Sequence, residues 1–251
     1  MVEEAYERGF VDKILGDIFY TTTQGIREEI AAAVPVDKNT HILVVACRNG
    51  ETVFYFAKEI GCTVVGSDIF EAHIKEAEKV ARREKLTKKV SFVKGFAEDL
   101  PLDDETFDLV ILERSLSCYD NKATAIKECG RVLKKGGTFA MADFTTTEMS
   151  EEDRQELTEL TCLVTSLHVD TFKEHMEDAG LTDIVIEHKE HIAEKNIKVL
   201  LQKWKKIRLF SNIFLKASSA DAGRFENLMR RGEKVIREQK LGYTLFMGKK
   251  A

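Results

Sequence analysis

Two short stretches carry residue types suited to holding a ribose-bearing ligand. The first, HILVVACRNGETVFYFA (residues 41–57), reads as an apolar strand, a tight loop and the start of a helix. Gly50, just before Glu51, lets the backbone approach a ligand and leaves unsatisfied N–H groups at the helix start. The second, TVVGSD, ends its apolar run on Asp68, eighteen residues beyond Gly50. That separation is near the roughly 20 expected for a carboxylate that accepts hydrogen bonds from ribose hydroxyls. The pair is more specific than either part. Alone, Gly50 reads equally well as a turn glycine and Asp68 as an acid beside a helix N-terminus.

Such residues need a scaffold that brings strand ends together. From Ile42 to about Phe144, apolar runs (ILVVAC, TVVGSD, VSFV, FDLVIL, TFAMADF) alternate with amphipathic stretches starting at Glu51, Glu71 and Asn121. Strands that are apolar on both faces and separated by helices predict a parallel sheet covered on both sides, an α/β doubly wound core. In open sheets of this kind the ligand lies outside the carboxyl ends of the strands, where strand order reverses. A Gly136-Gly137 turn is expected to feed the fifth strand. Downstream, the pattern predicts a helix over 150–167 and another over 171–179 ended by Gly180. A strand at TDIVIEH follows, then helices carrying Ile197–Ile207 and Phe225–Ile236, and a last strand at LGYTLFM. The apolar stripes read first as packing. With only Pro35 and Pro101 and no Gly/Ser-rich linker, nothing marks a domain boundary, so residues 1–251 are read as one domain.

Composition narrows the function classes. Lys and Arg total 38 against 43 Asp and Glu, a net charge of −5 that argues against a nucleic-acid binder. The acidic start MVEEAYERGF lacks the features of a signal peptide, and no apolar stretch approaches the roughly 18 residues of a membrane span. A cytoplasmic location is the expectation. Cys47, Cys62, Cys118, Cys129 and Cys162 are scattered and odd in number, which predicts free thiols. His188 and His191, and His168 and His175, lack an accompanying set of carboxylates and cysteines, so no metal site is expected.

The motifs ILVVACRNG, VVGSD, VKGFAEDLPLDDETFDLV and RVLKKGGTFAMADF, in this order and spacing, resemble class I S-adenosylmethionine-dependent methyltransferases. The similarity is to the small-molecule type that includes the ubiquinone and menaquinone biosynthetic enzymes, with a degenerate first motif. The resemblance implies a Rossmann-like sheet of seven strands with an antiparallel last strand and a helical lid. It divides the chain into a helical segment (1–40), a cofactor-binding core (41–145), lid and substrate-covering helices (146–240) and a closing strand (241–251). S-adenosylmethionine is the implied cofactor and a small molecule the implied partner. Ala46, Cys47, Arg48, Asn49 and Gly50 would hold the methionine end. Asp68 would take the ribose hydroxyls, with Ile69 against the adenine and Ala97 and Glu98 at its edge. Glu113, Arg114 and Ser115 would line the floor beneath the sulfonium.

Four positions depart from the family pattern: Val44 replaces an acid, Ala46 and Arg48 replace glycines, and Phe96 replaces an aspartate that contacts the adenine amine. The missing acid removes a charge-assisted hydrogen bond worth roughly 1.5–3 kcal/mol. Ala46 is tolerable if its φ is negative. Arg48 has three readings: it turns to solvent or pairs with a carboxylate such as Glu113, it holds an anionic group of cofactor or substrate through its fork, or the loop no longer binds the cofactor.

Methyl transfer from a sulfonium is an in-line displacement, so alignment and exclusion of water are the protein's main work. A general base is needed only if the acceptor arrives protonated. Candidates to touch the acceptor are Tyr20, Cys118, Tyr119 and His168, with Ser117, Phe144 and Thr145 beside them. Each has a plainer role: His168 as a surface or capping histidine, Cys118 as a packed thiol, Tyr20 as core. The rival readings are a catalytically weak methyltransferase-like partner protein and a nicotinamide-dependent dehydrogenase, the latter lacking GxGxxG.

Overall fold

The computed structural model describes residues 25–116, 119, 121–146, 168–189, 191–192 and 241–251. The expected helices over 150–167, 197–207 and 225–236 lie outside these residues, as do Tyr20, Ser117 and Cys118. The chain divides into two compact units. The larger comprises Ile26–Asp143, Val169–Glu187 and Thr244–Ala251.

The elements in chain order are α1 (Ile26–Ala33), β1 (His41–Val45), α2 (Glu51–Tyr55, continued by a π-helical turn Phe56–Ile60), β2 (Thr63–Asp68), α3 (Glu71–Arg83), β3 (Val90–Lys94) and β4 (Phe107–Glu113). After these come α4 (Lys122–Val132), β5 (Leu133–Thr146), α5 (Val169–Asp178), β6 (Leu181–His188) and β7 (Leu241–Lys250). The strands form one sheet of order β3-β2-β1-β4-β5-β7-β6, mixed through its antiparallel last strand. The expected doubly wound, seven-stranded architecture is therefore present. β1 lies between β2 and β4, parallel to both, and strand order reverses there.

The alternation of apolar runs and amphipathic stretches explains this arrangement. Ile42, Leu43, Val44 and Val45 of β1 and Leu109, Val110, Ile111 and Leu112 of β4 are all buried, which a strand covered on both faces requires. Each such side chain contributes about 1.5–3 kcal/mol of transfer free energy, so the two central strands carry much of the core. α3 packs on β2 and β3 through Ile74, Ala77 and Ala81, and α4 packs on α5. Asn121 caps α4, its side chain accepting from the Thr124 N–H at 3.0 Å.

One expectation needs correcting. Gly136 and Gly137 do not make a turn that precedes the fifth strand; they lie inside β5. The pairing jumps from Phe107↔Leu133 to Leu109↔Thr138, so the glycines form an irregularity within the strand, with Gly136 at φ 74°.

In the smaller unit, the Phe144 ring meets Tyr243 edge-on at 5.2 Å and the Lys189 N–H donates to the Tyr243 carbonyl at 2.7 Å. Phe144 and Thr145 are buried there, while His168, His188 and His191 are exposed.

Candidate functional site

β1, β2 and β4 run parallel, so the residues that follow them emerge at one edge of the sheet. Ala46–Gly50 follow β1, Asp68 ends β2 and Glu113 ends β4. The loop after β1 is stitched to its neighbours by main-chain bonds. Cys47 N–H donates to the Ser67 carbonyl at 2.9 Å, and Gly50 N–H to the Cys47 carbonyl at 2.9 Å. Gly50 sits at φ 84° immediately before α2. A Cβ there would lie 2.9 Å from Phe54 Cε2, so glycine is needed for both conformation and space.

Ala46 (φ 53°) and Arg48 (φ 50°) also take left-handed backbone conformations. The condition under which alanine would replace glycine at 46 without strain is not met. Each costs on the order of 1–2 kcal/mol relative to glycine, so the loop holds two strained residues in place. What holds it is visible at Asp68. Its buried carboxylate accepts from the Arg48 N–H through Oδ2 at 2.8 Å and from the Phe70 N–H through Oδ1 at 2.9 Å. His73 Nδ1, on the first turns of α3, lies 3.0 Å from the same Oδ1.

A carboxylate offers about four acceptor positions. Three are occupied, and a ribose diol brings two donors. One internal donor, His73 or the Arg48 N–H, must yield for the diol to be held by both hydroxyls.

Glu113 lies one residue past Leu112, the β4 partner of Val45, and so stands at the end of β4 where β1 gives way to its loop. Its Oε2 accepts from the Thr52 hydroxyl in the first turn of α2 at 2.9 Å. Its Oε1 is sealed from solvent and has no hydrogen-bond partner among the described residues. Burial pushes this carboxyl above the usual glutamate range; Arg114, the Thr52 hydroxyl and Arg27 pull against that, and Glu51 adds to it. The pairing of Arg48 with Glu113 weighed from the sequence is not formed. The backbone N–H of Arg48 instead donates to Asp68.

The remaining predicted residues fall around the same edge. Arg114 is buried at φ 49°, its N–H on the Ala142 carbonyl at 2.8 Å. Ser115 Oγ accepts from the Tyr119 hydroxyl at 2.9 Å, and Lys122 Nζ donates to the Tyr119 carbonyl at 2.7 Å. Ile69 follows Asp68 directly and is partly exposed. Ala97 is buried and Glu98 partly so, whereas Phe96 is 54% exposed. Cys47 is a packed, neutral thiol: burial, with the Asp68 charge adding to it, raises its pKa far above the ordinary cysteine value.

The loop after β3 is held by parts the sequence did not suggest. Gly95 N–H donates to the Asp68 carbonyl at 3.1 Å, and a Cβ on Gly95 would collide with the Pro101 ring. Arg131 of α4 reaches the Leu100 and Leu102 carbonyls at 3.0 and 2.8 Å, while its Nε and Nη2 hold Glu128 at 2.8 and 2.7 Å. Glu128 in turn accepts the Leu100 N–H at 3.0 Å. Thr52, His73 and this clamp were missed because each acts across a distance in sequence or a helix face that no local motif marks.

Among the described residues no group of three His, Cys, Asp or Glu side chains is arranged to hold a metal, and no helix is long and apolar enough to cross a membrane.

The model of a methyltransferase domain family matches residues 43–141. The chain is 25% identical over 253 aligned residues to 27-O-demethylrifamycin SV methyltransferase of Amycolatopsis mediterranei, covering 98% of this chain and 90% of that one. It is 31% identical over 127 residues to demethylmenaquinone methyltransferase of Lactiplantibacillus plantarum, covering 50% of this chain and 54% of that one. Thus it spans most of the first relative and about half the length of the second. Its fold is similar to that of a Haemonchus contortus phosphoethanolamine N-methyltransferase solved with phosphomonomethylethanolamine and S-adenosylhomocysteine. That match has a TM-score of 0.71 at 18% identity over 90% of this chain and 52% of that one.

Proposed function

We infer that this chain, whose residues 43–141 form a class I S-adenosylmethionine-dependent methyltransferase domain, transfers a methyl group from S-adenosylmethionine to a small-molecule acceptor. The observation that carries the reading is the meeting of the first loop and Asp68, the Arg48 N–H on Asp68 Oδ2 at 2.8 Å, at the edge where strand order reverses.

The residues fit the cofactor. Asp68 has an open acceptor position for ribose, and Glu113 offers an unmet acceptor at the end of β4. In this reading Ala46–Gly50 hold the methionine end, Asp68 the ribose, Ile69 one adenine face, and Ala97 and Glu98 the adenine edge. Glu113, Arg114 and Ser115 form the floor. The bound cofactor supplies a methyl group already activated on a sulfonium, so the chain's work is to orient the acceptor in line with it and to keep water out. Tyr119, held by Ser115 and Lys122, is the described residue best placed to border the acceptor. A cytoplasmic location accords with this chemistry.

Calorimetric titration with S-adenosylmethionine, S-adenosylhomocysteine and NAD tests the reading. Saturable binding of both sulfur compounds is expected. Absence of both at millimolar concentration overturns it, and binding of NAD alone favours a dehydrogenase.

A further inference from the structure

We propose that Glu113 receives the α-ammonium group of the cofactor's methionyl end. The proposal rests on the reading of the domain as an S-adenosylmethionine site and adds which side chain meets that cation.

The loop Ala46–Gly50 contains no carboxylate, yet the ligand part assigned to it ends in an amino acid with a full positive charge on nitrogen. Transferring that charge from water to a sheet edge is costly without an anionic partner. The nearby carboxylates differ in what they have left to give. Asp68 already holds three donors. Glu51 has a 57% exposed side chain and sits 3.7 Å from Arg27.

Glu113 is the exception. One oxygen is fixed by Thr52 at 2.9 Å and the other is shielded from solvent with no donor on it. The strand register ends at Val45↔Leu112, so Glu113, the next residue of β4, stands at the end of the paired strands, where the chain after Val45 leaves β1 for its loop. Thr52 holds it on the α2 side of the sheet, the side on which that loop runs into its helix.

A buried acceptor without a donor is a standing cost in the free protein. A ligand ammonium removes that cost, and the ion pair it forms is shielded from bulk solvent.

The test is titration of the wild-type chain, Glu113→Gln and Thr52→Val with three ligands: S-adenosylhomocysteine, its analogue with hydrogen in place of the α-amine, and 5′-methylthioadenosine. The wild type is expected to prefer S-adenosylhomocysteine over the deaminated analogue by about tenfold or more. Glu113→Gln should remove most of that preference and leave the other two ligands within about twofold of wild type. Thr52→Val, which frees the carboxyl without removing it, should show a smaller loss of the same selective kind, and it carries the test if the glutamine variant does not fold. A variant at 113 that keeps the full preference, or a wild type that binds S-adenosylhomocysteine with no preference, overturns the proposal alone. A wild type that binds none of the three overturns the underlying reading and the proposal with it.

Discussion

The main-chain N–H of Arg48 donates to Asp68 Oδ2 at 2.8 Å, so the residue that breaks the glycine pattern of the first loop is tied to the acid that completes the site. A main-chain donor is supplied by any residue but proline. The loop geometry therefore survives the change of side chain, and the cost falls on backbone strain.

Arg48→Gly should relieve that strain. Arg48 lies at φ 50°, and the gain from a residue at ease there, less the extra freedom glycine gives the unfolded chain, is about 0.5–1 kcal/mol. Thermal unfolding should show a midpoint raised by about 1–4 °C. A lowered midpoint would mean that the side chain contributes more than the backbone costs.

Asp68→Asn exchanges an all-acceptor group for one with an amide that must face a donor. Since the carboxylate serves Arg48, Phe70 and His73, a loss of about 1–3 kcal/mol in stability is expected. Affinity for S-adenosylhomocysteine should fall at least as far in proportion. Denaturant unfolding and calorimetry on the same variant measure both, and unchanged ligand affinity would remove Asp68 from the ribose site.

The pH dependence of stability should report Glu113. Burial raises its carboxyl above the ordinary range. A group whose folded pKa exceeds its unfolded value gives stability that is complete below the unfolded value and is lost as pH rises through the folded one. Glu113→Gln should match wild type in acid and become progressively the more stable as pH climbs past the glutamate range. Urea unfolding from about pH 4 to 8 checks this, and a gap that does not change with pH contradicts it.

Glu128 works in the opposite sense. The Arg131 hydrogen bond, opposed by burial and aided by the Leu100 N–H, lowers its pKa. Stability from such a group is present above the unfolded pKa and lost as pH falls through the folded one. Glu128→Gln should cost about 1–3 kcal/mol at neutral pH, and the difference should shrink in acid. Because the clamp fixes the backbone at Leu100 and Leu102, adenosine-end affinity should fall too; a variant that loses stability with affinity intact would separate the clamp from the site.

The centre of the sheet was legible because β1 and β4 are short and apolar on both faces, while α3 carries one apolar stripe; these periods are local properties of the chain. Asp68 was legible for the same reason, as an acid ending an apolar run at a fixed distance from Gly50. The long β5 was less so. Gly136 and Gly137 signal an unusual backbone equally well for a turn and for an irregularity inside a strand, and only pairing with Phe107 and Leu109 decides between them.

By itself, then, the sequence determined the order of strands and helices and which strand ends carry polar residues. The tertiary structure decided which of those residues meet. Nothing local at Glu113 or Thr52 announces a bond across 61 positions, and nothing in RNG shows that Arg48 will turn left-handed and give its N–H to Asp68. Periodicity follows from neighbours along the chain, whereas hydrogen bonds between loops depend on strand register and on the space that packing leaves. Those are set only when the whole sheet has formed.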